Sequence, residues 1–371
     1  MIQLADPARE HREHQDAIEA AALRVLRGGV YILGPEVSAF ERAFADYCGA
    51  GHAVGVSNGS DAIVVALHAL GVGPGDEVIT TAFSYFASAS AILRVGATPV
   101  FADIDLETFN LSPADVARRV TPRTRAILAV HLFGRCADTD ALGEIARAHG
   151  LALIEDAAQA CGATRGSRRV GTLGTLACFS FFPAKPLGCD GDGGACTTDD
   201  PALAAAMQRA RVTGARAKNV HDGPGGNYRL DPLQAAILGA KLPRYEARIA
   251  RRRAHADALR DALRDLSPAL VLPADDPDGR HVYAQFTVRH PARDALQRAL
   301  RARDVAAEVY YPVPMPLQAA VAHLGHRAGD FPRAERAAAE VLAIPVHSEL
   351  DAQDVARVID AMRAAVKEVE A

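Results

Sequence analysis

Lys185 lies in the stretch C-F-S-F-F-P-A-K-P-L-G-C-D-G-D-G-G-A, residues 178–195, between two prolines and just past an apolar run. Lys and Arg together number 41, yet the only lysines are Lys185, Lys218, Lys241 and Lys367, so arginine is the default cation here. A lysine can lose its proton and form an imine with a carbonyl, which a guanidinium cannot do. Taken alone, Lys185 also has a plainer reading, as a snorkelling or salt-bridged side chain. A second stretch, S-N-G-S-D at 57–61, joins a short apolar strand to a helix. The first turn of a helix offers free N–H groups and a positive dipole end, Gly59 permits close approach, and Ser57 and Ser60 can add hydroxyls. A phosphate suits that place, and so does a simple N-cap with no ligand. The spacing is neither a Walker A loop nor G-x-G-x-x-G. A third residue, Asp156, ends a wholly apolar strand, where a carboxylate needs a cation or several donors. A structural ion pair meets that need as well as a ligand does.

The elements that position these residues follow from hydrophobic periodicity. Helical spacing covers Asp16 to Leu26 and Val37 to Tyr47. Strands are expected at 53–57, 77–81, 99–103, 125–131, 151–154, 177–182 and 194–198, with helices between most of them. This alternation predicts an α/β fold with a mostly parallel sheet covered on both faces, and ligands gather at the carboxyl ends of such strands. Residues 194–198 read as the return arm of a hairpin. The polar, glycine-rich segment 213–229 is long for a plain connection. A helix over 243–266 carries Arg248 and Arg251 to Arg253, a charge run expected on a solvated face. Strands at 282–288 and 306–311 and helices at 294–303 and 352–369 indicate a smaller C-terminal α/β domain, dividing the chain into 1–245 and 246–371.

Composition removes several classes. A net charge of −4 gives no sign of a nucleic-acid partner. No apolar run is long enough to span a membrane, and the first 14 residues lack a signal-peptide core. The six cysteines form no C-x-x-C pair or metal-ligand spacing, which points to a reducing cytoplasm and no metal site.

A phosphate-ready helix start, an imine-capable lysine, a carboxylate at a strand end and nearby aromatics have one ligand in common. Pyridoxal 5'-phosphate carries a phosphate, an aldehyde and a ring nitrogen that pairs with a carboxylate. The chain resembles the DegT/DnrJ/EryC1/StrS family of sugar aminotransferases, which have the fold type I architecture of aspartate aminotransferase. The matching segments include G-P-E-V-x-A-F-E (34–41), S-N-G-S-D-A (57–62), G-A-T-P-V-F-x-D (96–103), E-D-A-A-Q-A (155–160), F-S-F-F-P-A-K-P-L-G (179–188), G-D-G-G-A (191–195) and N-Y-R-L-D-P-L-Q-A-A-I (227–237).

The resemblance implies a role for each matching residue. Lys185 forms the imine with the cofactor and then serves as base and acid at the substrate Cα. Asp156 pairs with the pyridinium nitrogen, Gln159 lies near the ring hydroxyl, and Tyr85 stacks on the ring. Gly59, Ser60 and Ser180 bind the phosphate. Asn227 belongs to a loop that reaches a neighbouring subunit's site, which implies a homodimer with shared active sites. Arg229 and Tyr310 fall where relatives contact the sugar, although many relatives have histidine at the position of Tyr310. Retention of Lys185 argues against the dehydratase branch, which has histidine there. The implied reaction moves an amino group from L-glutamate to a nucleotide-linked keto sugar. P-A-K-P-L-G-C resembles the branch acting on UDP-linked 3-keto N-acetylhexosaminuronic acids. A dTDP- or other NDP-linked keto-deoxysugar and a pyridoxal-phosphate-binding regulatory protein without turnover are the alternatives.

Overall fold

The structure, a computed structural model, describes residues Met1–Glu370. Its centre is a seven-stranded sheet of β1 (His52–Val56), β2 (Glu77–Thr81), β3 (Thr98–Ala102), β4 (Thr124–Val130), β5 (Ala152–Asp156), β6 (Leu176–Ser180) and β7 (Gly194–Thr198), in the order β1-β7-β6-β5-β4-β2-β3. β7 is antiparallel to both its neighbours, β1 and β6, and the remaining pairs are parallel. Six strands therefore point the same way, and the carboxyl ends of β1, β2, β4, β5 and β6 share one edge.

Helices cover both faces, so the strands are apolar throughout rather than alternating. Helix α2 (Pro35–Cys48) buries Phe40 and Phe44 on one face, against Phe179 and Phe181. Helix α3 (Gly59–Ala69) lies on the other and buries every residue from Ala62 to Leu67. Towards the C-terminus, β8 (Phe286–Arg289) pairs antiparallel with β9 (Val341–Ile344) beneath the helices Arg293–Arg301 and Ala352–Glu370. Ile2 joins that core through a bridge to Val305.

Four expectations need correction. Helix α1 runs Pro7–Gly28, well ahead of the expected start, and is capped by the Asp6 side chain. Its first turns bury Glu10 and His14, so hydropathy conceals the inward face. The solvated arginine face holds for Arg251 and Arg253, which are exposed, and fails for Arg248 and Arg252, which are buried; Arg248 pairs with Glu10 and Glu349. The strand expected from Val282 begins only at Phe286, because the Val282 and Gln285 N–H groups donate to the carbonyls of Gly134 and Phe133. Residues 306–311 form no strand; only Glu308 bridges, to Ala343. The glycine-rich segment 213–229 carries a small hairpin, Ala215–Ala217 with Val220–His221.

Candidate active site

Lys185 sits in a tight turn leaving β6. Its N–H donates to the Phe182 carbonyl at 2.8 Å, and the loop is closed at its base by Phe181 N–H to Gly193 and Cys189 N–H to Phe181, both 2.8 Å. Burial pushes the Lys185 amine down to about 8, and the nearby negative charge of Asp156 pulls it back up. An amine in that range exchanges protons near neutral pH, as imine and general-base chemistry require.

Asp156 ends β5 and is buried. One carboxylate oxygen accepts from the Ser88 hydroxyl at 2.7 Å and the other from the Ala158 N–H at 3.2 Å. No arginine, histidine or second lysine pairs with it among the described residues. The structural ion pair that its position allowed is therefore absent. Ser88 was not foreseen; it stands one helical turn past Tyr85, in the helix Ala87–Arg94 that follows β2.

The phosphate-ready turn has the expected form. Asn58 caps α3 by accepting from the Asp61 N–H at 2.8 Å, while the Gly59 and Ser60 N–H groups have no acceptor among the described residues. A Cβ on Gly59 would lie 2.6 Å from the Ser180 Cβ, so only glycine lets the end of β6 touch the helix start. This contact brings the Ser180 hydroxyl beside the free N–H groups. Ser57 differs from expectation: its hydroxyl donates to Asp61 at 2.6 Å. Asp61 also accepts from Asn58 and pairs with Arg94 at 2.8 Å, so its charge is compensated beside the free N–H groups of α3.

Gln159 is buried and held at both ends. Its carbonyl accepts from the Phe133 N–H at 2.7 Å and its amide donates to the Tyr311 hydroxyl at 3.0 Å. Tyr311, missed in the sequence in favour of Tyr310, links the aromatics: its ring centre lies 6.2 Å from that of Tyr85 and 5.7 Å from that of Tyr310. Tyr85 is 62% exposed in the single chain. Arg229 pairs by backbone with Val56, and the Tyr228 carbonyl accepts from the Ser57 N–H at 3.0 Å, which sets Arg229 beside the turn 57–61. Asn227 is exposed, on the segment that carries Lys218 and His221, also exposed. No contact ties Asn227 to Lys185 or Asp156 among the described residues.

An amine, a cation-free buried carboxylate and an anion-ready helix start share one sheet edge, and they fit pyridoxal phosphate without rearranging the protein's own bonds. They sit on the α/β architecture of fold type I aminotransferases. The chain belongs to the DegT/DnrJ/EryC1/StrS aminotransferase family, which it matches over residues 12–363. It is 45% identical to a pleiotropic regulatory protein of Geobacillus stearothermophilus, over 97% of both chains. It is 45% identical to the dTDP-3-amino-3,4,6-trideoxy-alpha-D-glucose transaminase of Streptomyces venezuelae, over 95% of this chain and 93% of that one. It is 43% identical to the UDP-2-acetamido-2-deoxy-3-oxo-D-glucuronate aminotransferase of Pseudomonas aeruginosa, over 96% and 98%. The crystal structure of S. venezuelae DesV in complex with a ketimine intermediate superposes with a TM-score of 0.96 at 44% identity, covering 99% of this chain and 98% of that one. No described helix is long and apolar enough to cross a membrane.

Proposed function

We propose that the chain transfers the amino group of L-glutamate to C3 of a UDP-linked 3-keto N-acetylhexosaminuronic acid, using pyridoxal 5'-phosphate. The observation that carries the chemistry is a lysine amine brought down to about 8 within the field of a buried carboxylate that no cation bonds among the described residues. When bound, the cofactor supplies the electron sink that makes a substrate Cα–H acidic. The chain's own residues do the rest. Gly59 and Ser60 N–H groups and the Ser180 hydroxyl hold the phosphate at the positive end of α3. Asp156, oriented by Ser88 and Ala158, would hold a proton on the ring nitrogen. Gln159 would serve the ring hydroxyl and Tyr85 would cover the ring, and Lys185 would remove and return the proton at the substrate carbon.

The sugar assignment rests on the Pseudomonas relative and on Arg229, a half-buried guanidinium without a carboxylate partner among the described residues, offered to a uronate. Tyr310, half-buried beside Tyr311, completes the sugar side. A second reading, amination of a dTDP-linked 3-keto-deoxysugar, draws on the Streptomyces transaminase. The name of the Geobacillus relative keeps a regulatory protein without turnover as the contrasting reading. In this proposal the protein is a cytoplasmic homodimer in which Asn227 serves the partner's site. Assaying UDP- and dTDP-linked 3-keto sugars with glutamate, and identifying the amino sugar formed, separates the readings. The proposal requires turnover of the UDP uronate, at a rate that drops sharply in Arg229→Leu. Turnover of only the dTDP sugar selects the second reading, and none of either selects the regulatory one.

A further inference from the structure

A buried ionic cluster lies under the turn that carries Lys185. Lys241, the last residue of the helix Pro232–Lys241, is 3% exposed. Its ammonium donates to the Gly188 carbonyl at 2.9 Å and to the Asp190 carboxylate at 2.8 Å. Two helical turns earlier, Gln234 accepts from the Asp190 N–H at 2.9 Å. Both bonds fall three to five residues past Lys185, on the half of the loop that returns towards β7. Behind Lys241 stands Glu10 at 3.6 Å, and Glu10 is shared with Arg248, which continues to Glu349 at 3.0 Å. Burial pushes the Glu10 carboxyl up, and the charges of Arg248 and Lys241 only partly oppose this. His11 lies 3.6 Å from Asp190 on its exposed side.

A buried ammonium is costly without partners, and in this chain, where arginine is the ordinary cation, lysine occupies this place. Its compact head reaches a backbone carbonyl and a carboxylate of one turn together. We propose that Lys241 is a positioning residue for Lys185: through Gly188 and Asp190 it fixes the turn that sets the height of the reactive amine above the carboxyl edge of the sheet. Its effect on catalysis rests on the aminotransferase reading above, whereas its hold on the turn does not. Glu10 neutralises Lys241 without touching the turn.

The test compares Lys241→Met with Glu10→Gln, each a loss of one member of the cluster, and with Gln234→Leu, which frees the same turn without changing charge. In the cofactor-free full chain, amide hydrogen exchange over 182–191 is expected to accelerate in Lys241→Met and Gln234→Leu and to stay at the wild-type rate in Glu10→Gln. In the chain reconstituted with pyridoxal phosphate, Lys241→Met is expected to lower kcat roughly 10- to 100-fold with KM for both substrates little changed. The pH midpoint of the visible absorbance of the lysine-bound cofactor moves with it. Lys241→Arg, which keeps the charge but not the compact head, is expected to show both effects at smaller size than Lys241→Met. If Lys241→Met does not fold, Gln234→Leu and Asp190→Asn carry the same expectations at smaller size. The proposal is overturned if exchange over 182–191 and the absorbance midpoint are unchanged while stability falls as in Glu10→Gln. Faster exchange in Lys241→Met, in a wild type that shows no turnover, removes the aminotransferase reading and leaves the clamp standing.

Discussion

Two of the buried groups of charge in this fold are built in opposite ways. Around Glu10, Lys241, Arg248 and Glu349 every charge meets another, and the neighbouring hydroxyl of Ser348 adds a bond at 2.6 Å. Burial pushes the Glu349 carboxyl up, but His347, Arg248 and Ser348 outweigh it and hold the group well below the ordinary carboxylate range. At the sheet edge, Asp156 has one hydroxyl, one N–H and the field of Lys185, and Lys185 has no hydrogen-bond acceptor contributing to its state. The same contrast recurs between adjacent residues of β5. Glu155 accepts from the N–H groups of Gly171, Leu173 and Gly174 and from His131, whose other ring nitrogen accepts from the Ala137 N–H and so fixes the tautomer. Successive side chains of a strand face opposite ways, so saturated Glu155 braces the structure while unsaturated Asp156 faces the site. Incomplete compensation is what distinguishes a charge kept for a ligand from one kept for the fold.

The contrast can be broken in order of effect. Lys185→Ala is expected to lower kcat by at least ~10³-fold, read by the release of keto acid from glutamate, with an unchanged thermal midpoint of the cofactor-free chain. Arg248→Met removes the guanidinium that Glu10 and Glu349 share and is expected to cost about 3–5 kcal/mol in urea unfolding. Glu155→Gln replaces an acceptor-only group that serves four donors and is expected to cost about 3 kcal/mol, whereas Asp156→Asn changes stability by less than about 1 kcal/mol and still abolishes most turnover. Equal losses of stability from these two substitutions would erase the distinction between them. The smallest effect is in pH. Only the neutral amine attacks a carbonyl, so capture of pyridoxal phosphate by the cofactor-free chain should speed up with pH and level off above about 8, not above 10.5. Asp156 raises the amine's proton affinity, so Asp156→Asn shifts that midpoint downward.

Much of the site was legible because its residues stand at strand ends, and a strand's end can be read from local pattern. Asp156, Lys185 and the turn 57–61 all terminate short apolar runs, and the sheet order then brings those ends together. Ser88 and Tyr311 escaped because their roles exist only across elements: one, on the helix after β2, serves a strand two places away in the sheet order, the other a glutamine more than a hundred residues earlier. The early start of α1 and the buried face of Arg248 and Arg252 escaped together. Each conceals the other's burial, since a charged residue reads as exposed until its partner is known. The expected strand at 306–311 failed because its apolar side chains serve two cores, Ala307 with Leu342 and Ile344 and Tyr311 against Phe83 and Tyr85, while only Glu308 keeps a bridge.

The most direct test of the account adds glutamate to the wild-type chain reconstituted with pyridoxal phosphate, with Lys185→Ala and Asp156→Asn alongside. The account predicts that the wild-type visible band disappears as one equivalent of 2-oxoglutarate forms per site, and that both variants fail to do this on the same time scale. A wild-type band that persists without keto acid, or a Lys185→Ala chain that converts glutamate at the wild-type rate, contradicts it.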